Sequence, residues 1–191
     1  MAERGKWLYL AAGLVAGAAG TLAVLGFPGG AGAGRGRCLL SYEEGRSYAV
    51  ERVVDGDTIV IEGGVHLRYA GVDTPELGRF DYSCPDPWSG EARDANKRLV
   101  EGRRVRLLFG PDKLDRYGRL LASVQVRDEA GGRWLNVCEQ LAREGLARRV
   151  RGTGTPPDEG ALIRAEEAAR AEKRGLWGAA GDSRGPGKPP R

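Results

Sequence analysis

One histidine, His66, stands among 191 residues, together with three cysteines, one methionine and 7% aromatic residues. A structural or catalytic zinc site draws its ligands from several cysteines and histidines at close spacing. A serine–histidine–aspartate triad needs a histidine between two partners. With a lone histidine and no cysteine cluster beside it, both chemistries are excluded as readings of this chain. Cys38, Cys84 and Cys138 lie far apart, and an exported domain would permit one disulfide with one thiol left over. Three pairings are open, and spacing does not choose among them. A large charge imbalance is also missing: 30 basic residues face 26 acidic ones, for a net charge of +4, with an isoelectric point near 9.1. That modest excess fits an anionic partner without identifying one. Lysine is scarce too, since 25 of the 30 basic residues are arginine. The planar guanidinium suits phosphate, although a GC-rich genome would give the same bias. Hydrophobic residues make up 41% of the chain, enough to build a core.

Charge is absent altogether from Trp7 to Phe27. As a helix this stretch would span about 32 Å at 1.5 Å per residue, close to the roughly 30 Å of a bilayer core. Arg4 and Lys6 precede it, which places the N-terminus in the cytoplasm. Ala31-Gly32-Ala33 resembles a signal-peptidase site, so residues 7–27 read either as a membrane anchor or as a cleaved signal. Both readings put the folded domain outside the cytoplasm. Residues 1–37 are thus an anchor or signal with a Gly/Ala linker, residues 46–178 a folded domain, and residues 179–191 a Gly/Pro-rich, charged tail without core-forming pattern.

The domain is organised around Val53 to Glu76. Positions 54 to 61 read as strand from their Val and Ile content. Glu62-Gly63-Gly64 supplies a hairpin turn. Val65, Leu67 and Tyr69 alternate with His66 and Arg68, which sets Arg68 on the face opposite the apolar residues. Pro75 ends that run at a rigid corner, Asp73-Thr74-Pro75-Glu76. Paired strands can bring Asp57 and Asp73 together, where two carboxylates repel unless a cation lies between them. A hard divalent ion with oxygen ligands answers that, and a main-chain carbonyl at the corner can complete the set. The same residues also suit an ordinary charged turn with a surface ion pair.

Further along, Leu77 to Trp88 is a loop that Cys84 could tie down. Ser89 is placed to cap a helix running to Glu101, with Ala92, Ala95 and Leu99 on its inner face and Gly102 as its stop. Val105 to Phe109 and Leu120 to Val126 read as strands, separated by Asp115-Arg116-Tyr117-Gly118-Arg119. Asp128 to Gly132 is a hairpin loop. Asn136 with Glu139 marks the start of a second helix that buries Val137, Cys138, Leu141 and Ala142 and stops at Gly145. Asp158 caps a third, with Leu162, Ala165, Ala169 and Ala168 inward. Leu176-Trp177 then folds back on the domain. Five short strands and three helices fit an α+β domain.

Three motifs, in order and with compatible gaps, carry a resemblance: Val-Asp-Gly-Asp-Thr at 54–58, Arg68 five positions before Asp73-Thr74-Pro75-Glu76, and Asp115-Arg116-Tyr117-Gly118-Arg119. Together, from Tyr48 to Trp177, the chain resembles the staphylococcal nuclease family. The resemblance implies a five-stranded OB-fold, a Greek-key β-barrel with three helices, and OB-folds commonly bind oligonucleotides. It implies calcium-dependent hydrolysis of DNA or RNA that leaves 3′-phosphates. Asp57, Asp73 and the main-chain oxygen of Thr74 would hold Ca2+. Glu76 would position or deprotonate the attacking water, and Arg68 and Arg119 would grip the phosphate. Arg116 and Tyr117 would touch the neighbouring nucleotide. No obligate protein partner is implied, and a monomer is expected. Some domains of this fold keep the barrel and lose the chemistry. A nucleic-acid-binding module tethered to the membrane is therefore the alternative, and the presence of Asp57, Arg68, Asp73, Glu76 and Arg119 weighs against it. Members of the family often carry tyrosines after the second helix. Here that stretch reads Arg148-Arg149-Val150-Arg151-Gly152-Thr153, so binding there is expected to lean on charge rather than stacking.

Overall fold

The structure, a computed structural model, describes residues 41–78, 84–128 and 132–178. The anchor or signal segment at 7–27, the tail at 179–191 and Cys38 lie outside them. Among the described residues no helix is long and apolar enough to cross a membrane.

Among the described residues eight strands form: β1 (Ser47–Val53), β2 (Thr58–Ile61), β3 (Val65–Tyr69), β4 (Val72–Asp73), β5 (Arg104–Leu108), β6 (Leu120–Arg127), β7 (Trp134–Asn136) and β8 (Arg148–Arg149). Three helices accompany them: α1 (Ser89–Val100), α2 (Val137–Arg143) and α3 (Glu159–Ala171). The main sheet runs β3-β2-β1-β5-β6-β7, and β3 also pairs with β6. That extra pairing joins the ends of a five-stranded run and closes a barrel, which removes its open edges. All barrel pairings are antiparallel except β3–β6, which is parallel with Arg68 opposite Leu121. A bulge between Val50 and Arg52 lets β1 pair with β2 at one end and β5 at the other, the kind of bend that helps a sheet curl shut. The fold expected from the sequence, an α+β five-stranded OB-barrel with three helices, is the one observed.

Alternation fills the barrel. Ile59, Ile61, Leu67, Tyr69, Val105, Leu107, Leu120 and Val124 are all buried, and each such side chain removed from water contributes about 1.5–3 kcal/mol. Helix α2 lays Val137, Cys138, Leu141 and Ala142 against this core. Its start is the expected one, with Asn136 Oδ1 accepting from the N–H groups of Cys138 and Glu139. Leu176 and Trp177 fold back as expected, in a short 3-10 turn whose Leu176 N–H donates to the Gly145 carbonyl at 2.9 Å.

Several local expectations give way. Residues 54 to 57 are not strand but the tight connection between β1 and β2. Both the Val54 and Asp55 N–H groups donate to the Thr58 carbonyl there. The N-cap of α1 is Trp88, held at φ 71°, and no side chain caps the helix; Ser89 is inside it and buried. Asp158 occupies the N-cap of α3 without a side-chain bond. Cys84 is an exposed free thiol and Cys138 a buried one. Burial pushes the Cys138 thiol up to about 11, so it behaves as core. Cys84 and Cys138 do not pair.

Candidate active site

The β1–β2 connection carries Asp55, Gly56 and Asp57, and its shape depends on Gly56. A Cβ on Gly56 would stand 2.5 Å from Thr74 Oγ1 and 2.9 Å from the Ala92 Cβ. Only glycine therefore lets this turn press against the Asp73-Thr74 corner. Asp57 is buried, and its Oδ2 accepts from the Thr74 N–H at 2.8 Å and the Thr74 hydroxyl at 3.0 Å. Its Oδ1 meets the Thr58 hydroxyl at 3.2 Å.

Arg68 enters the same group from β3. Nη1 lies 2.7 Å from Asp57 Oδ2, and Nη2 donates to Asp73 Oδ1 at 3.0 Å. The alternation of β3 foretold a residue facing away from the apolar side; Arg68 does so, yet it is buried, because those two carboxylates enclose its head. Burying a charge is costly unless it is paired and hydrogen-bonded, and both conditions are met. Asp73 belongs to the two-residue strand β4, which is paired with β8 so that Asp73 lies opposite Arg148. Four of the residues expected at the site, Asp57, Arg68, Asp73 and Thr74, are thus drawn into one connected group.

The other four make their contacts elsewhere. Glu76 is exposed. Its N–H donates to Asp86 Oδ2 at 3.0 Å, and its carbonyl accepts from the Asp86 N–H at 2.9 Å. Arg119 closes the turn before β6. Its Nε is 2.6 Å from Asp115 Oδ2, while Asp115 Oδ1 accepts from the N–H groups of Tyr117 and Arg119, both at 2.9 Å. Partial burial of Asp115 works against its charge. The hydrogen bonds from Arg119 and Tyr117 outweigh that and hold its carboxyl below the usual range. Gly118, at φ +77°, makes the bend. The Tyr117 ring is 65% exposed, with the guanidiniums of Arg116 and Arg119 over it at 4.8 and 5.5 Å.

Three participants escaped sequence reading. Asp55 accepts from the Asp57 N–H at 3.0 Å. Burial first, then repulsion by Asp57, pushes its carboxyl up to about 7. Asn96, fully buried on α1, accepts from the Tyr69 hydroxyl and donates to the Asp55 carbonyl at 2.9 Å. Its place four residues after Ala92, on the inner face, was the available signal. Glu166, buried on α3, accepts from the Arg149 N–H at 3.1 Å and from Arg170 at 3.3 Å. The three arginines of the 148–151 run are not equally placed: Arg148 stacks on Trp177 at 4.6 Å, Arg149 pairs with Glu159 at 3.3 Å, and Arg151 is exposed.

Among the described residues no three histidine, cysteine or acidic side chains form a ready-made metal cage. Two carboxylates do converge on one cation, the Arg68 guanidinium, and a third carboxyl stands beside them with its charge disfavoured. Such a surplus of oxygen donors over positive charge suits a hard cation held partly by main-chain oxygen and water.

Comparison with known proteins points to one family. The family model described as Staphylococcal nuclease homologue matches residues 66–179. The thermonuclease of Staphylococcus hyicus is 36% identical over 141 residues, covering 72% of this chain and 79% of that protein. The thermonuclease of Staphylococcus intermedius is 38% identical over 136 residues, covering 69% and 75%. Endonuclease YncB of Bacillus subtilis is 42% identical over 106 residues, covering 53% and 47%.

Proposed function

This chain belongs to the family of staphylococcal nuclease homologues, and we propose that it is a nuclease: a calcium-dependent phosphodiesterase that hydrolyses DNA or RNA and leaves 3′-phosphates. The observation that carries the reading is the Asp57–Arg68–Asp73 group, in which two carboxylates flank one guanidinium at 2.7 and 3.0 Å. Asp57, Asp73 and the main-chain oxygen of Thr74 would hold Ca2+. The ion, when bound, neutralises phosphate charge and lowers the pKa of a coordinated water. Arg68, a buried cation fixed by Asp57 and Asp73, would set positive charge beside the phosphate oxygens, and Arg119, oriented by Asp115, would set a second. Fixed cations aimed at charge that builds up on those oxygens give the largest electrostatic gain, because they need not reorganise. Glu76, exposed on the corner and braced through its main chain by Asp86, is the base that takes a proton from water. Arg116 and Tyr117 present an exposed ring and charge to the adjoining nucleotide, where base stacking contributes roughly 1–3 kcal/mol. Residues 7–27 would anchor the protein in the membrane, or be removed on export, so that the nuclease acts as a monomer outside the cytoplasm.

The test is digestion of single- and double-stranded DNA and RNA by the full chain with calcium, with magnesium and with chelator. Expected are cleavage with calcium, products ending in 3′-phosphate, poor replacement by magnesium, and none with chelator. A smaller ion that demands octahedral geometry fits a loose oxygen set badly. Full activity in chelator would overturn the site.

A further inference from the structure

Antiparallel pairing across the β4–β8 ribbon sets Asp73 opposite Arg148 and Val72 opposite Arg149. Successive residues point to opposite faces, so Arg149 looks away from the carboxylate site. On its side lies a cavity of about 350 Å³, lined by Arg149, Arg151, Gly152, Gly154 and Glu159 among others. Its wall is rich in donors. The main chain is left-handed at Gly152 and Gly154, at φ +91° and +79°, and not at the intervening Thr153. Among the described residues none of the N–H groups from Arg151 to Gly154 donates a hydrogen bond. Successive main-chain N–H groups in such a turn form concavities that attract anions. A Cβ on Gly152 would meet no atom within 4 Å, so the approach is open. The Nε of Arg149 is buried without a partner. Glu159 is the one acidic residue lining the cavity, and Arg149 pairs with it at 3.3 Å, which leaves Arg151 uncompensated. Glu159 also opens α3, and a helix N-terminus adds partial positive charge.

We propose that this cavity is a subsite for a phosphate of the substrate chain other than the one cleaved, held by Arg149, Arg151 and the main chain of Arg151, Gly152 and Gly154. The proposal rests on the nuclease reading. Phosphate oxygens accept from every donor named, and two arginines with a run of N–H groups match their number and charge. Free phosphate offers the same oxygens. The polymer is favoured because its phosphates repeat along one chain, so that one can occupy this cavity while another reacts.

Three measurements on the full chain decide it, with Arg151→Gln and Arg149→Gln compared with parent and a thermal melt to verify folding. Affinity for a single-stranded oligonucleotide, measured in chelator so that it is not cleaved, falls with salt, and each lost phosphate contact should flatten the log–log slope by about 0.7. The KM for polymer should rise several-fold, and more than the KM for a dinucleotide. The amide signals of Gly152 and Gly154 should shift on adding oligonucleotide, and much less with inorganic phosphate at equal concentration. An unchanged slope in both folded variants overturns the subsite. A shift with inorganic phosphate but none with oligonucleotide also overturns it, in favour of a free anion. If the parent neither binds nor cleaves any nucleic acid, the nuclease reading itself has failed. That result is distinct from a parent that cleaves normally and variants that match it.

Discussion

The Tyr69 hydroxyl donates to Asn96 Oδ1 at 2.7 Å inside the core, where neither residue meets solvent. Because the Asn96 amide also donates to the Asp55 carbonyl, helix α1 and strand β3 together hold the turn that carries Asp55 and Asp57. Burial of the Tyr69 hydroxyl, more than any other influence, pushes its pKa well above the ordinary phenol range, so it stays a donor at any working pH.

Removing this link should harm both stability and the site. Asn96→Ala strands the buried Tyr69 hydroxyl, at about 1–3 kcal/mol for such a group, and frees the half-buried Asp55 carbonyl. Tyr69→Phe strands only the Asn96 oxygen and should cost less. Urea melts measure the stability, and titration with a luminescent lanthanide measures ion affinity at Asp57 and Asp73. Asn96→Ala is expected to lose both. Parental ion affinity in a folded Asn96→Ala protein would show that the turn does not depend on α1.

The two arginines proposed to grip the phosphate should not tolerate lysine. Arg68→Lys keeps the charge but loses the fork that reaches Asp57 and Asp73 at once. Arg119→Lys loses the Nε contact to Asp115. Each is expected to lower kcat by about 10²–10³ while folding normally by circular dichroism. Near-parental turnover in either would remove that arginine from the reacting phosphate.

How much of this could be read from the sequence depended on range. The barrel's strands were legible because β2, β3, β5 and β6 alternate or run apolar over four residues or more. The candidate site residues could be named because they sit in short contiguous motifs, and four of them, Asp57, Arg68, Asp73 and Thr74, are connected in the fold. The features that stayed hidden were set by partners far along the chain. Strands β4 and β8 are two residues each, too short to show a period, and exist because Gly71, Thr153 and Val150 lock the ribbon together. Alternation gave only the face of Arg68, opposite the apolar residues; its burial is set by Asp57 and Asp73, which enclose its head. Trp88 displaced Ser89 as the N-cap of α1 because Ser89 is buried within the helix. Glu166, an acid on an apolar helix face, had no signal beyond its own oddity; the Arg149 main chain, seventeen positions away, explains it.

Residues 7–27 should direct the protein out of the cytoplasm. Expressed in full in a bacterium, it is expected either in the membrane fraction with its N-terminus intact or in the medium beginning after Ala33. Mass spectrometry of the N-terminal peptide separates the two. Soluble cytoplasmic protein that retains Met1 would exclude both.

Asp115 offers a pH test that leaves the proposed ion ligands, Asp57, Asp73 and Thr74, alone. Its carboxylate accepts two main-chain N–H groups and the Arg119 Nε, and its folded pKa is lowered. A depressed carboxyl stabilises the fold above its unfolded pKa of about 3.9, and that contribution is lost as pH falls through the lower folded value. Asp115→Asn keeps an oxygen for the N–H groups but no charge for Arg119. At pH 7 the variant should therefore melt below the parent, and the gap should narrow as pH is lowered beneath about 4, where the parent's own carboxyl takes up its proton. Because Arg119 loses its anchor, turnover should fall as well, by less than in Arg119→Lys, since the guanidinium itself remains. Melting curves on both proteins, from acid to neutral pH, measure the gap. A gap that stays constant across that range would mean that the charge on Asp115 does not stabilise the turn, and that the hydrogen bonds alone shape it.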